Sequence, residues 1–474
     1  MTAGSAPHLF SIGGLDIAYD GASGALHKLD PVGREVLKWV SSHGGLTESV
    51  PGEPPAQILV ELSTSFSRSD IQEAWDDLAL LFGTTLFSED PSLRREEPEH
   101  SGNVGVPGPG LKAMCLDVAH DCNLACEYCF ASQGRFGGRP ELMTPDTGRA
   151  AVDFLLGSSG GRKYLDVDFF GGEPLLAFDT VKDTVEYARR KGRELGKEFR
   201  FTLTTNCLLL DDKKLDFLNS ENVSLILSLD GRREVHDRMR RFRDGKPSHQ
   251  EALERARRAV LSRNGRDYYV RGTFTRYNLD FDQDVRYLYQ EGFRHLSLEP
   301  AVGEGTWSLR PEDLPAIERS YEELARFWVG AAKAGDPFLF YHFDLGLSGG
   351  LCRERRETGC GAGYEYVAVT PSGEIYPCHQ LVGRTELLLG TLSSGLQNQA
   401  LAERFRRARV PNKPACVECW ARYLCGGGCH ARAILDGRDM IEPEPFSCRI
   451  MRARLEYALY AQVLLRSPEQ PTGS

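Results

Sequence analysis

Short alternating runs open the chain. His8–Ile12, Leu15–Tyr19 and residues 25–29 place apolar side chains at every second position, the period of a half-buried strand. Residues 31–40 change to helical spacing with a proline in the first turn. Residues 69–82 predict a second amphipathic helix, capped by Ser69 or Asp70. Periodicity then stops: Pro91, Glu96, Glu97, Pro98, Gly105, Pro107 and Gly108 mark a linker within residues 88–110. From Leu111, strand-like runs alternate with helical ones: Ala113–Ala119, then 165–170, 199–205, 223–229, 269–274 and 295–299. Thr144 and Pro145 supply an N-cap and first turn for the first of those helices. Such alternation builds parallel βαβ units. Six units predict an α/β fold, a partial (β/α)6 barrel with its chemistry at the C-terminal strand ends. Residues 312–334 read as a long linking helix. From Gly349, Cys and Gly replace long periodic segments, so metal sites rather than a large apolar core are expected to hold that region.

The resulting organisation is a small unit over 1–95, a linker over 96–110, the barrel over 111–310, a linking helix over 311–348, a Cys-rich domain over 349–465 and a disordered tail over 466–474. A length of 474 residues suits several domains. The net charge of −10 and the pI near 5.7 argue against nucleic acid or an anionic membrane as the main partner. The first ten residues lack a basic stretch followed by an apolar run, and no apolar run reaches the ~20 residues of a membrane span. A cytoplasmic protein is expected. In a reducing compartment, thirteen cysteines point to metal ligation or catalysis rather than to disulfides.

Cys122, Cys126 and Cys129 form C-x3-C-x2-C just after the first barrel strand. Three thiolates on one loop can hold three irons of a cubane and leave the fourth open to another ligand. A three-Cys zinc site or a set of buried thiols is the competing account. The context favours the cluster. Tyr128 precedes the third cysteine, and Gly171-Gly172-Glu173-Pro174 follows the second strand, where glycines let backbone approach a ligand closely. Glu173 offers a carboxylate there.

Together these residues resemble the radical S-adenosylmethionine superfamily over residues 111–300. The resemblance implies that S-adenosylmethionine chelates the open iron and is cleaved to a 5′-deoxyadenosyl radical. It also implies cofactor contacts at Tyr128, Gly171, Gly172, Glu173, Pro174, Asn206 and Ser228. Asn206 and Ser228 could equally be hydrogen-bonded polar residues at strand ends. The family more often has Gly where Cys207 stands, which leaves that cysteine either a buried thiol or a reactive one. Cys115, inside the first strand, reads as a small buried residue.

Cys352, Cys360, Cys378, Cys416, Cys419, Cys425, Cys429 and Cys448 fall in the C-terminal region. Eight thiolates suffice for two fully ligated 4Fe–4S clusters, although C-x2-C also suits zinc. The ordered pattern from Cys360 to Cys448 resembles the SPASM domain of peptide-modifying radical enzymes. That resemblance implies one auxiliary cluster on Cys352, Cys360, Cys378 and Cys429, and a second on Cys416, Cys419, Cys425 and Cys448, making three 4Fe–4S clusters in all. The N-terminal unit resembles a winged-helix-like peptide-recognition element, which takes a leader peptide as an added strand.

Longer stretches narrow the resemblance. They are 119–124, running into Tyr128-Cys129-Phe130-Ala131-Ser132-Gln133-Gly134, then residues 167–174 and Tyr376-Pro377-Cys378-His379-Gln380. They resemble maturases of the "six cysteines in forty-five residues" precursor peptides, which form thioether links between a peptide Cys sulfur and a carbon. The implied partners are a ribosomal precursor peptide with its leader and a reductant such as flavodoxin or ferredoxin. Other radical peptide modifications, such as C–C cross-linking or epimerisation, remain open, as does a zinc-bound peptide- or DNA-binding adaptor. Asp168, Asp230 and Glu299 lie near strand ends and read as structural hydrogen-bonding groups, and His379 as a neighbour of Cys378. No acid or base is assigned.

Overall fold

The N-terminal alternation folds as three strands, β1 (His8–Ile12), β2 (Leu15–Tyr19) and β3 (Leu26–Leu29), paired antiparallel in that order. In the computed structural model, which describes residues 6–43, 52–90, 110–347 and 355–466, three helices follow: α1 (Pro31–Ser42), α2 (Ala56–Leu62) and α3 (Arg68–Leu81). Asp30 caps α1 by accepting from the Gly33 amide at 2.6 Å, with Pro31 in the first turn. The cap of α3 differs from expectation. Ser67, not Ser69 or Asp70, is the N-cap, and Asp70 returns the bond in a capping box. The pattern also missed α2, whose seven residues span only two turns. Trp75, Ile71, Leu78, Val36, Leu37 and Ile58 form a separate small core.

Strands β4 (Ala113–Ala119), β5 (Tyr164–Gly171), β6 (Glu198–Thr205), β7 (Val223–Ser228), β8 (Tyr268–Phe274) and β9 (His295–Pro300) are parallel and sequentially adjacent. Between them run α4 (Pro145–Ser158), α5 (Phe178–Leu195), α6 (Asp212–Ser220), the pair α7 (Arg233–Met239) and α8 (His249–Ser262), and α9 (Phe281–Gln290). Thr144 caps α4 as expected. Burial alternates along β5, β6, β7 and β8, whereas β4 is buried throughout. Leu165, Val167 and Phe169 pack outward, while Asp166, Asp168 and Phe170 face the other way. After α10 (Leu314–Lys333), the short β10 (Leu339–Phe340) adds parallel to β9.

The C-terminal region departs from expectation. Strand β11 (Tyr366–Val369) pairs parallel with β4, and β12 (Glu374–Tyr376), β13 (Gly390–Thr391) and β14 (Gly395–Leu396) continue antiparallel. Barrel and Cys-rich region thus share one 11-stranded sheet. Val367, Val369, Ile375, Leu381, Leu389 and Phe405 belong to the same core as the barrel. Four short helices follow: α11 (Gln399–Arg407), α12 (Pro414–Val417), α13 (Arg422–Cys425) and α14 (His430–Leu435). Then α15 (Pro445–Arg466), 22 residues long, packs along α10. Strands of two to four residues are too short to show a period, so the sequence suggested metal support alone. Among the described residues, no helix is long and apolar enough to cross a membrane. Arg466, the first residue of the expected tail, ends α15; the rest of that tail and most of the expected linker lie outside the described residues.

Candidate active site

The loop after β4 carries Cys122, Cys126 and Cys129. Backbone bonds tie it to the end of α7 and the residues after it: the Ala125 amide donates to Arg241 O at 2.8 Å and the Glu127 amide to Met239 O at 2.9 Å. Three glycines let the loop meet the end of β5 backbone to backbone. A Cβ on Gly172 would lie 2.1 Å from Asp121 O, one on Gly134 would lie 2.7 Å from Gly172 Cα, and Gly171 has φ +127°. The Cys122 sulfur accepts from the Leu124 amide at 3.4 Å. Asn206 Nδ2 reaches the same sulfur at 3.7 Å and Asn123 Oδ1 at 2.7 Å.

These groups border a cavity of about 220 Å³ lined by Cys122, Cys126, Cys129, Tyr128, Gly171, Gly172, Asn206 and Ser228, with Arg240, Arg271, Glu299, His379 and Gln380 opposite. Glu173 and Pro174 do not line it. Both Glu173 oxygens are taken by the chain: Leu175 N donates at 3.1 Å, Thr205 Oγ1 at 2.8 Å and Asn206 N at 2.8 Å. Glu173 therefore anchors β6 to the Gly-Gly turn. Burial raises its carboxyl to about 7 against those hydrogen bonds.

Asp230, fully buried, holds the cysteine loop to the strand ends. It accepts from Tyr128 Oη at 2.5 Å, from Arg240 Nε at 3.1 Å and from the Thr273 amide at 3.0 Å. Asp168 lies outside the cavity lining, its carboxyl raised to about 6 by burial. Glu299 lines the cavity between Arg454 Nη1 at 3.1 Å and His342 Nε2 at 3.5 Å. Burial alone would raise Glu299, but His342, Arg454 and Arg271 bring it down to about 2. His379 bonds to Tyr366 Oη at 3.2 Å, and burial lowers it to about 4, so it is neutral near pH 7. Cys207 is fully buried at φ +73°, a left-handed backbone that explains why glycine suits the position. Cys115 is buried as well.

The remaining described cysteines fall into two neighbourhoods. Cys378 feels Cys360 and Cys429, while Cys416 feels Cys419, Cys425 and Cys448. Cys352 lies outside the described residues. Gly426, Gly427 and Gly428, all at positive φ, turn the chain between Cys425 and Cys429. Lys413, 1% exposed, donates to Gly427 O at 2.7 Å among Cys416, Cys425, Cys429 and Cys448. The sequence reading missed this buried cation, and it missed Arg240, Arg271 and Arg454. A lone basic residue carries no signal of burial. A second cavity, about 300 Å³, is lined by Cys425, Cys429 and Cys448. It shares Arg271, Glu299, Pro300, Val302 and Gln380 with the first. Among the described residues, no three His, Cys, Asp or Glu side chains are arranged to hold a single metal ion.

Residues 117–270 match the family model of the Radical SAM superfamily. The mycofactocin maturase MftC of Mycolicibacterium smegmatis is 29% identical over 351 residues, 71% of this chain and 83% of the relative. An uncharacterized protein of Methanocaldococcus jannaschii is 27% identical over 191 residues, 40% of this chain, and the match spans 63% of that relative, less than two thirds of its length. Among solved structures, native anSMEcpe with bound AdoMet superposes with a TM-score of 0.62 at 22% identity, covering 75% of this chain and 100% of that one. Streptococcus suis SuiB bound to precursor peptide SuiA gives 0.52 at 16% identity, over 93% of this chain and 98% of that one. Residues 117–270 thus match a radical SAM domain, and the α/β fold is that of the superfamily. Such a domain implies S-adenosylmethionine and a 4Fe–4S cluster. The donor set fits them: three thiols on one loop open into a cavity beside a glycine cradle that no side chain could enter.

Proposed function

We propose that this chain is a radical S-adenosylmethionine enzyme that forms thioether links, Cys sulfur to carbon, in a ribosomally made Cys-rich precursor peptide. The observation that carries the proposal is the shared wall of the two cavities. One cavity ends at Cys122, Cys126 and Cys129, the other at Cys425, Cys429 and Cys448, and five residues border both. A substrate residue lodged between them lies within reach of both cysteine sets.

When bound, the first cluster and S-adenosylmethionine supply a 5′-deoxyadenosyl radical that removes one hydrogen atom from carbon. Joining that carbon to a thiol then releases one proton and one electron. In this reading Cys122, Cys126 and Cys129 hold the cluster, and Gly171, Gly172, Asn206 and Ser228 cradle S-adenosylmethionine. Cys360, Cys378 and Cys429, with Cys352, hold one auxiliary cluster, and Cys416, Cys419, Cys425 and Cys448 hold the other, to receive the electron. Metal binding must displace the thiol protons, which burial holds up to about 12 at Cys122 and Cys126. Asp230 orients Tyr128 and keeps Arg240 charged beside the cavity. A groove between β3 and α3, about 430 Å³, has the shape to take a leader peptide as an added strand on the open edge of β3. The likeness to SuiB, solved with its precursor peptide, supports this reading. A flavodoxin or ferredoxin would supply electrons.

The test begins with protein purified without oxygen. About twelve irons per chain, the ligand count of three cubanes, with deoxyadenosine formed from S-adenosylmethionine and dithionite, would support a radical enzyme with two auxiliary clusters. A Cys-rich peptide should then lose two hydrogens per cross-link, read by mass spectrometry. Zinc without iron, and no deoxyadenosine, would overturn the proposal in favour of an adaptor.

A further inference from the structure

Arg271 stands on β8, where alternation turns Tyr268, Val270, Gly272 and Phe274 into the core and leaves Arg271 exposed on the opposite face. That face is the cavity, and Arg271 lines both of its halves. The other cations there each have a carboxylate partner. Arg240 pairs with Asp230 at 3.1 Å, Arg454 with Glu299 at 3.1 Å and Arg432 with Glu444 at 3.6 Å. Among the described residues, no ion pair or side-chain hydrogen bond holds the Arg271 guanidinium. Glu299 is close enough to feel its charge, yet the two Glu299 oxygens already face Arg454 and His342.

A planar guanidinium with open donors, at the junction of two cavities, matches a carboxylate in shape and charge. We propose that Arg271 binds a carboxylate of the substrate peptide, so that the peptide presents an Asp or Glu at or beside the residue being modified. The inference rests on the peptide-modifying reading above. Position favours the peptide over S-adenosylmethionine as the source of the carboxylate. Gly171, Gly172 and Asn206 border the first cavity only, whereas Arg271 also borders the half that ends at Cys425, Cys429 and Cys448.

The test uses cluster-loaded full-length enzyme, immobilised without oxygen and offered a synthetic peptide library with one fixed Cys and randomised neighbours. Wild type should enrich Asp or Glu near the Cys. Arg271→Gln should lose that enrichment by about tenfold, the loss expected for a charged hydrogen bond, and Arg271→Glu should enrich Lys or Arg instead. Arg271→Lys, which keeps the charge but loses the fork, should fall between. Equal enrichment in wild type and Arg271→Gln, or no acid preference in wild type, would overturn the inference. In parallel, deoxyadenosine formation without peptide is measured against S-adenosylmethionine concentration. An unchanged KM in Arg271→Gln supports the peptide as the source. A KM raised about tenfold would assign the carboxylate to S-adenosylmethionine and overturn it. Failure of wild type to make deoxyadenosine at all would instead reject the enzyme reading itself.

Discussion

Single side chains at this site act mostly by holding one another. Asp230 ties together the cysteine loop through Tyr128, the segment after α7 through Arg240 and strand β8 through Thr273. Asp230→Asn leaves Arg240 buried without its counter-charge, so unfolding free energy should fall by about 3 kcal/mol, checked by chemical denaturation. Gly172→Ala is expected to act locally, because its Cβ would fall 2.1 Å from Asp121 O. That variant should lose about four irons, one cubane's worth, while the others stay, as read by iron and sulfide assay with electron paramagnetic resonance. Acid should weaken the contact of Glu299, His342 and Arg454. Burial and Arg454 lower His342 from 6.5 to about 3. Between those values the unfolded chain binds the extra proton, so stability falls as pH drops below 6.5. Glu299, lowered from 4.5 to about 2, adds a second decline below 4.5. His342→Gln should flatten the first decline and shrink the second, which His342 helps to produce, as seen in melting temperature against pH.

The N-terminal strands and helices do not merely append a peptide-binding unit. His8 stacks on Trp420 with ring centroids 4.1 Å apart, and a Cβ on Gly21 would sit 2.5 Å from Trp420 O. Asp90 accepts from Arg422 Nη2 at 3.0 Å, from Tyr423 Oη at 2.8 Å and from Arg355 Nη1 at 3.2 Å. Trp420, Arg422 and Tyr423 lie between Cys419 and Cys425, so the small unit braces that cysteine loop. Asp90→Ala should loosen the brace. A chelator should then remove iron from the mutant faster than from wild type, with release followed by absorbance.

One sheet runs through the barrel and the Cys-rich region, since β11 pairs with β4. The two regions should therefore unfold together. Far-ultraviolet circular dichroism and tryptophan fluorescence are expected to give coincident transitions, and removing the C-terminal irons should lower the melting temperature of the barrel as well. Separate transitions would show that the shared sheet does not couple them.

How much of this could be read from the chain alone follows from the range of each interaction. Strand–helix alternation, the cap at Thr144 and the cysteine spacings are local, so the order of the barrel and the cysteine loops were legible. The hydrogen bonds of Glu173 were not legible because its partners Thr205 and Asn206 arrive from another strand. The unit role of Asp230, Arg240 and Tyr128 depends on groups about a hundred residues apart in sequence, as the Tyr128–Asp230 separation of 102 shows. Burial of Lys413 and Arg454, exposure of Arg271 into a cavity, and the continuity of the sheet through two-residue strands have no local period or motif. Composition and spacing determined which chemistry the chain can host. Folding determined which charges are paired, which backbone is crowded and where the open cation points, because those depend on contacts that only packing brings together.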